Sequence, residues 1–190
     1  MKLLLKILFF SIFILSSIFF LKLFNEVKKP ISSVRHQATI IGKQAKEFHL
    51  QWMFQTDKKF SIQRFPLSLK LFKGKLLLLN FWASWCHSCR EEAIYLSKLQ
   101  LDLDKKQGAI LGVAVFDELE DSLKVASHLN KNYPLAYDPS GKTSLDYGLT
   151  GVPETLLLGE NGQILFWHKG PLSQSIYEKL RRVIISHVFS

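Results

Sequence analysis

Two cysteines are the residues of this 190-residue chain whose types and spacing suggest covalent chemistry. Cys86 and Cys89 are its only cysteines, and two residues separate them. An apolar run over residues 76–81 precedes them and an amphipathic segment follows, which predicts a strand, a turn and a helix that begins at Cys86. The unpaired N–H groups and the positive dipole end of a helix stabilise a thiolate at that position. Cys86 is therefore the predicted nucleophile for a substrate disulfide, and Cys89 is the thiol that resolves the mixed disulfide.

From the residues alone, a Cys-x-x-Cys pair has other uses. It can be half of a zinc site, but the other two ligands would then be histidines, and the six histidines are scattered without a His-x-x-x-His pair. It can also be a structural disulfide, although a loop this small constrains the unfolded chain little. The strand–turn–helix context favours redox chemistry over both alternatives, and we predict no metal site.

Glu92 is the next residue that the pattern marks for chemistry. When residues 86–103 are placed on one helix at about 100° per residue, four apolar side chains form a single arc: Ala93, Leu96, Leu99 and Leu103. Glu92 falls inside this arc and Glu91 falls on the opposite side. We expect Glu92 to point towards the core on the face of Cys89, where burial raises the pKa of a carboxyl group and allows proton transfer near neutral pH. The alternative is a helix-start glutamate stabilised by the dipole, which suits Glu91 better.

The order of strands and helices indicates an α/β domain with a mixed central sheet flanked by helices. The strand over residues 76–81 lacks polar alternation, so it should be buried on both faces. The other predicted elements are a hairpin (48–54 and 60–62, around 55–57), a short helix (67–72), a strand (109–116), a helix (118–130), a strand (135–137), a helical turn (142–147), a second hairpin (155–158 and 163–167) and a closing helix (173–187).

The N-terminus predicts a membrane anchor. Residues 3–24 are almost wholly apolar and are interrupted by Lys6 and Lys22 near the ends of the run, where long side chains can snorkel. We expect residues 1–24 to form a single-pass transmembrane helix with a cytoplasmic N-terminus, residues 25–41 a tether, and residues 42–190 the folded domain. A cleaved signal peptide is the alternative, but no Ala-x-Ala-like site follows the apolar run. Both predictions place the domain outside the cytoplasm.

The charge distribution gives no sign of a nucleic-acid partner. The formal net charge is +9, of which residues 1–41 carry +5 and the remainder carries +4. The basic balance is therefore partly a property of the membrane-flanking segment, and the domain itself is only mildly basic. No stripe of alternating basic and aromatic residues is present, so a solvated basic surface is the favoured interpretation.

The run over residues 81–92, FWASWCHSCREE, resembles the active-site segment of membrane-anchored thioredoxin-like proteins of bacteria. It is most similar to the cytochrome c maturation thiol–disulfide oxidoreductases, the CcmG or DsbE type, and to their ResA and TlpA relatives. Residues 42–50, 137–142 and 147–155 resemble further motifs of this family in the same order. The resemblance covers about residues 42–170 and implies a thioredoxin-like fold.

The same resemblance implies the activity and its setting. The domain is expected in the periplasm, held at the bacterial inner membrane. It would reduce the CxxCH cysteines of apocytochrome c, or of other envelope thiol proteins, and receive electrons from a membrane thiol reductant. The redox-active Cys86–Cys89 pair would suffice without a further cofactor. The His87-Ser88 dipeptide departs from the family pattern, and a cationic His87 would make the site more oxidising, whereas an exposed His87 would be inert.

Four further residues are predicted to contact substrate. Trp85, beside Cys86, is expected to form an apolar rim for protein substrates. By resemblance, Pro153 is cis and lies against the cysteines, so that the backbone of Val152 pairs with an extended substrate segment. Glu154 matches the acidic residue that follows this proline in the cytochrome c branch, with an exposed strand-end charge as the alternative. Glu92 matches the family's acidic residue three positions after the second cysteine.

Two rival functions accompany this prediction. A general disulfide reductase or oxidase for envelope proteins would use the same residues. A copper metallochaperone of the thioredoxin fold would bind copper(I) through Cys86, Cys89 and His168, since copper(I) favours thiolates. Such proteins usually separate their cysteines by three residues, and this chain has two.

Overall fold

The computed structural model describes residues 2–27, 40–56, 59–105 and 107–187. The chain divides into two compact units, Met1–Thr39 and Ile40–Ser190. The described part of the first unit is a single helix, α1 (Lys2–Val27). Large apolar side chains are exposed along it, among them Phe10, Phe13, Phe19 and Phe20.

The structure does not support the prediction of a transmembrane helix. Within the described ranges, no helix combines the length and the apolar character needed to cross a membrane. A helix does form over Lys2–Val27, but Lys6 and Lys22 leave only residues 7–21 between them. That run spans about 22 Å of helix, which is less than the roughly 30 Å of a bilayer core. Residues 28–39 of the predicted tether lie outside the described residues.

The second unit contains the strands β1 (His49–Thr56), β2 (Lys59–Ser68), β3 (Leu77–Trp82), β4 (Ala109–Val115), β5 (Leu135–Asp138), β6 (Glu154–Leu158) and β7 (Ile164–Lys169). Its helices are α2 (His87–Glu91), α3 (Ala93–Asp104), α4 (Leu119–His128), α5 (Lys142–Tyr147) and α6 (Gln174–Ser186). Most strands and longer helices agree with the sequence predictions to within a few residues, but β2 extends to Ser68 where only residues 60–62 were predicted, and the helix predicted over 86–103 is divided into α2 and α3. The predicted short helix over 67–72 is only a 3₁₀ turn, Leu69–Phe72, because β2 continues to Ser68. Asp57, in the predicted hairpin turn, lies outside the described residues.

These strands form one mixed sheet in the order β2-β1-β5-β4-β3-β6-β7. The central strand β3 pairs in parallel with β4 and antiparallel with β6. All six residues of β3 are buried, as predicted from its lack of polar alternation. The predicted α/β class with a mixed sheet is therefore confirmed. The carboxyl end of β3 leads directly into the cysteines.

Helices cover the sheet on both sides and create two apolar cores. Leu78 and Trp82 of β3 belong to the core that contains Leu96 and Leu99 of α3, and Phe81 belongs to the opposite core. Side chains alternate between the two faces of a strand. Asn80 therefore shares the face of Leu78 and Trp82, the face covered by α3.

Candidate functional site

The two cysteines form a disulfide at the end of β3. The Cα atoms of Cys86 and Cys89 are 5.3 Å apart. Cys86 caps the N-terminus of α2, where its Sγ accepts a hydrogen bond from the N–H of Cys89 at 3.1 Å. Cys86 is 5% exposed and Cys89 1% exposed. The strand–turn–helix context predicted for the pair is therefore present.

A carboxylate two residues after β4 fixes the turn before the cysteines. Asp117 accepts hydrogen bonds from the N–H of Ser84 at 2.5 Å and from its hydroxyl at 2.6 Å. The Oδ2 atom that bonds the N–H of Ser84 also accepts a hydrogen bond from the hydroxyl of Ser122, on α4, at 2.6 Å. Sequence reasoning missed Asp117. Its position just after a buried strand parallel to β3 could have indicated it, because the carboxyl ends of neighbouring parallel strands meet at one edge of a sheet.

Two exposed aromatic side chains border the disulfide. Trp85 is 62% exposed, and its indole N–H donates to the carbonyl of Phe116 at 3.0 Å. Phe116 is itself 50% exposed. Its ring lies over Gly141, where an added Cβ would approach the ring to 1.9 Å, so this position excludes a side chain. Trp85 and Phe116 therefore present exposed apolar area beside the cysteine turn, and the binding of protein substrates to this area stays a prediction.

Glu92 lies in the interior, as the apolar arc predicts. The helix expected over residues 86–103 is divided here, because α2 ends at Glu91 and α3 begins at Ala93. The Glu92 side chain is fully buried and accepts hydrogen bonds from Asn80 Nδ2 at 2.8 Å and from the N–H of Leu172 at 3.0 Å.

The pKa of Glu92 follows from this environment. Burial raises the pKa to about 7, while the hydrogen bonds from Leu172 and Asn80 and the positive charge of Lys131 lower it. The outcome is a carboxyl group that changes charge near neutral pH, one helical turn beyond Cys89. Glu92 therefore has the proton affinity that acid–base chemistry at physiological pH requires.

The predicted proline loop lies beside the same end of β3. The Val152–Pro153 peptide is cis, in agreement with the expectation from the family resemblance. Glu154 pairs with Phe81 in the register of β6 against β3, which sets Pro153 next to the turn that carries the cysteines. The structure thus brings this loop and the disulfide together at one edge of the sheet.

Glu154 is turned into the protein. It is 2% exposed, and its oxygens accept from the N–H groups of Thr150 at 2.7 Å and Gly151 at 3.2 Å and from the indole of Trp167 at 2.8 Å. The alternative interpretation as an exposed strand-end charge is therefore wrong. In this arrangement Glu154 holds the backbone just before the proline.

A buried lysine completes the charged groups near the site. Lys131 is 8% exposed, and its ammonium donates to the hydroxyl of Tyr133 at 2.9 Å. Burial lowers the pKa of Lys131 to about 8, and the charge of Glu92 acts in the opposite direction. No sequence signal marked this residue, because a lysine between two asparagines after a helix is typical of a solvated loop.

The two histidines considered in the sequence analysis lie on α2, directly after Cys86, and on β7. His87 is exposed, with its Nε2 3.5 Å from Glu91 Oε1 on the next turn of helix. His168 is on β7, with its Nε2 3.2 Å from the carbonyl oxygen of Pro171. Burial lowers the pKa of His168.

Comparison with known proteins agrees with this geometry. The model of the AhpC/TSA family matches residues 41–166. Over 145 residues the chain is 31% identical to the thiol:disulfide interchange protein DsbE of Escherichia coli K12, covering 75% of this chain and 72% of that protein. The DsbE of Yersinia pestis is 33% identical over 145 residues, covering 75% and 71% of the two chains. The crystal structure of a DsbE-type protein from Chlorobium tepidum superposes with a TM-score of 0.67 at 26% identity, over 78% of this chain and 97% of that one. The chain therefore belongs to the AhpC/TSA family, among its DsbE-like thiol–disulfide oxidoreductases.

Proposed function

We propose that this oxidoreductase reduces the CxxCH disulfide of apocytochrome c in the bacterial envelope before haem is attached. The observation that carries the proposal is the position of the Cys86–Cys89 disulfide between an exposed aromatic rim and a buried carboxyl group with a pKa of about 7. The rim offers a protein substrate an apolar contact, and the carboxyl group offers the reaction a proton acceptor. The similarity to proteins named thiol:disulfide interchange protein DsbE supports the reaction type, and the choice of apocytochrome c rests on the family resemblance of residues 81–92.

The reduction proceeds in two exchanges. The Cys86 thiolate attacks one sulfur of the substrate disulfide, which forms a mixed disulfide and releases a substrate thiolate that takes up a proton. The Cys89 thiol then gives its proton to the Glu92 carboxylate and attacks Cys86 Sγ, and the second substrate thiolate leaves and is protonated. The substrate gains two electrons and two protons, and the Cys86–Cys89 pair is left oxidised. A membrane thiol reductant returns the two electrons, so no cofactor besides this pair is needed.

Glu92 suits the second exchange for two reasons. It follows Cys89 by three residues, and residues with this separation lie on one face of a helix. Its pKa of about 7 also means that both protonation states are populated at neutral pH, so the group can accept a proton from a thiol and later return it.

Trp85, Phe116 and Val152 are the proposed contacts for the substrate. Trp85 and Phe116 provide exposed apolar area beside Cys86, and the half-buried Val152 precedes Pro153 in the adjacent loop. Glu154, predicted to bind substrate, acts in this proposal by fixing the loop, because its oxygens are occupied by Thr150, Gly151 and Trp167.

The trapping experiment that tests the substrate uses the resolving cysteine. Cys89→Ala in the full chain leaves the mixed disulfide unresolved, so Cys86 should stay linked to its substrate. The linked substrate is then identified by mass spectrometry after non-reducing separation. Cys86→Ala is the matched control and should trap nothing. Recovery of apocytochrome c supports the proposal, whereas a broad set of other envelope proteins would identify a general reductase or oxidase.

We also propose that α1 attaches the domain to the inner membrane. The exposed apolar side chains of this helix, such as Phe10 and Phe13, favour a lipid environment over water. The purified full chain should sediment with phospholipid vesicles, and a purified chain that starts at residue 40 should stay in the supernatant. Recovery of both forms in the same fraction would refute the attachment.

A further inference from the structure

The short segment between β7 and α6 contacts two parts of the site at once. The N–H of Gly170 donates a hydrogen bond to the carbonyl of Pro153 at 2.9 Å. Two residues later, the N–H of Leu172 donates to Glu92 Oε2 at 3.0 Å. Gly170 has a φ of +93°, a conformation that favours glycine, and this lets the chain turn between the two contacts. The segment therefore joins the loop proposed to bind substrate to the proposed proton acceptor.

His168, near the end of β7, holds this segment. Its Nε2 lies 3.2 Å from the carbonyl oxygen of Pro171. A carbonyl oxygen can only accept a hydrogen bond, so Nε2 is the ring nitrogen that carries the proton. The half-buried ring lies on the same face of β7 as Phe166, which belongs to the core that contains Cys89 and Leu172. A regular strand packed on this core thus sets the position of the donor.

The carbonyl of Pro171 and the N–H of Leu172 belong to one peptide unit. This unit is planar, and its C=O and N–H point in opposite directions. His168 binds one end of the unit and Glu92 binds the other. Hydrogen bonds in such a chain polarise one another, so the donation from His168 makes the N–H of Leu172 a stronger donor. One hydrogen-bonded chain therefore runs from the half-buried imidazole, through the peptide, to the buried carboxyl group.

We propose that His168 is a positioning residue for disulfide exchange: its ring fixes the orientation of the Pro171–Leu172 peptide, and this peptide holds the Glu92 carboxylate that takes the proton of Cys89. The inference rests on the proton-transfer role of Glu92 given above. Without the ring, the peptide can rotate about the single bonds on either side of it. The N–H of Leu172 then spends less time on Glu92, the carboxylate is less stabilised, and the second exchange slows.

The groups that face Glu92 give the bond from Leu172 a large share in its ionisation. This bond is the first among the effects that lower the pKa of Glu92, ahead of the hydrogen bond from Asn80 of β3 and the charge of Lys131, in the loop before β5. Tyr133 stays protonated, because burial and the charge of Glu92 both raise its pKa. The two cysteines titrate only in the reduced state, where a thiolate would raise the pKa of Glu92. Loss of the Leu172 bond should therefore raise the pKa of Glu92 measurably.

The bond from His168 to Pro171 does not depend on the charge of the ring. Burial lowers the pKa of His168, and so does the charge of Lys179 on α6, while the bond to Pro171 and the charge of Glu154 on β6 raise it. The ring is therefore largely neutral at neutral pH. Nε2 carries a proton both in this neutral form and in the cation. The ring can therefore hold the peptide throughout the pH range in which Glu92 titrates.

The test compares histidine variants of the full-length protein. His168→Phe removes the donor and keeps a planar ring, and His168→Gln places an amide N–H near the position of Nε2. His49→Phe makes the same substitution at an exposed position of β1 and is the control. The Glu92 carboxyl of each oxidised protein is titrated by carbon NMR. The rate at which each reduced protein reduces a small disulfide-bonded peptide is measured from about pH 5 to 9.

His168→Phe should raise the NMR midpoint of Glu92 by about half a pH unit or more and slow exchange near neutral pH by roughly two- to fivefold. The loss of rate should fade towards about pH 9, because the carboxyl group is ionised there in both proteins. His168→Gln should restore both values, and His49→Phe should match the parent. An unchanged Glu92 midpoint, or a loss of equal size at every pH, overturns the proposal.

Two measurements on the parent protein cover the case in which His168→Phe does not fold. Nitrogen NMR of the His168 ring should find the proton on Nε2. The amide signal of Leu172 should shift with a midpoint of about 7, since its acceptor is the Glu92 carboxyl. A neutral ring with its proton on Nδ1, or a Leu172 amide that does not respond to the titration, contradicts the proposal.

Glu92→Gln separates this proposal from the one on which it rests. If the rate profile of Glu92→Gln matches the parent, the proton-transfer role of Glu92 fails. If Glu92→Gln is impaired but His168→Phe keeps the parent profile, only the role of His168 fails. In the double variant, His168→Phe should add nothing to the effect of Glu92→Gln. A further loss of equal size would show that His168 acts by another route and would overturn the inference.

Discussion

Glu91 and Glu92 are neighbours in the chain but differ in their chemistry because only one is buried. Glu91 is exposed and lies 3.5 Å from His87, in an environment close to water. Glu92 has exchanged water for two hydrogen bonds, and burial outweighs them in setting its pKa to about 7. A carboxyl group with this pKa is a weak acid at pH 7 and a usable base, which an exposed glutamate is not.

Glu92→Gln should slow disulfide exchange by at least about tenfold near neutral pH, because glutamine keeps the shape of the side chain but cannot accept a proton. The pH dependence of the rate should also change, since the group that titrates near pH 7 is lost. Reduction of a model disulfide from about pH 5 to 9 measures both effects. Glu91→Gln, on the solvent side, is the control and should follow the parent. Identical profiles for all three proteins would reduce Glu92 to a packing residue.

The same carboxyl group makes the stability of the oxidised protein depend on pH. Its pKa is raised from 4.5 to about 7 in the folded state, so between these values the folded protein binds more protons than the unfolded one. The stabilisation is complete below pH 4.5 and is lost as the pH rises through about 7, with a total of about 3 kcal/mol. Urea unfolding of the parent and of Glu92→Gln without reductant measures this. As the pH rises from about 4.5 to above 7, the free energy of unfolding of the parent should fall relative to that of Glu92→Gln, which has no carboxyl group at this position to titrate. A difference between the two proteins that stays constant with pH would contradict the assigned pKa.

At the scale of elements, the cysteine turn is held by hydrogen bonds to side chains from the end of a neighbouring strand and from α2 itself. Asp117 at the end of β4 bonds Ser84 and Ser122, and the guanidinium of Arg90 on α2 bonds the carbonyl of Ser84 at 2.9 Å. Glu154 at the start of β6 holds the opposing loop. Both carboxylates thus serve to fix backbone on either side of the disulfide.

Asp117→Ala should destabilise the fold by about 1–3 kcal/mol, because the N–H of Ser84 loses its acceptor. It should also slow the alkylation and exchange of Cys86, since the turn that presents Trp85 and Cys86 loosens. Chemical denaturation and the rate of alkylation at fixed pH measure the two effects. Glu118→Ala, at the next and exposed position, is the control and should change neither. A stable Asp117→Ala protein with normal exchange would show that the turn does not depend on Asp117.

At the scale of the whole molecule, the sequence predicted what depends on local periodicity. The buried central strand, the order of the helices and the inward direction of Glu92 all follow from patterns over about 18 residues or fewer. Lys131 and Asp117 were missed because their environments are made largely by β1, β3 and the turn after β3, which are distant in sequence. The membrane-spanning helix was predicted from the apolar composition of residues 3–24, without enough weight on the two lysines inside it.

The hydrogen bond from Leu172 to Glu92 joins residues 80 positions apart, and it has a consequence for the order of events when the chain is made. Cys86 and Cys89 are synthesised long before β6, β7 and residue 172, which enclose Glu92 and the adjacent loop. Before these later parts fold, Glu92 is therefore a solvated glutamate beside the two cysteines. The raised pKa of Glu92 arises only when the last part of the chain has folded onto it, so this property belongs to the complete domain and not to the cysteine segment alone.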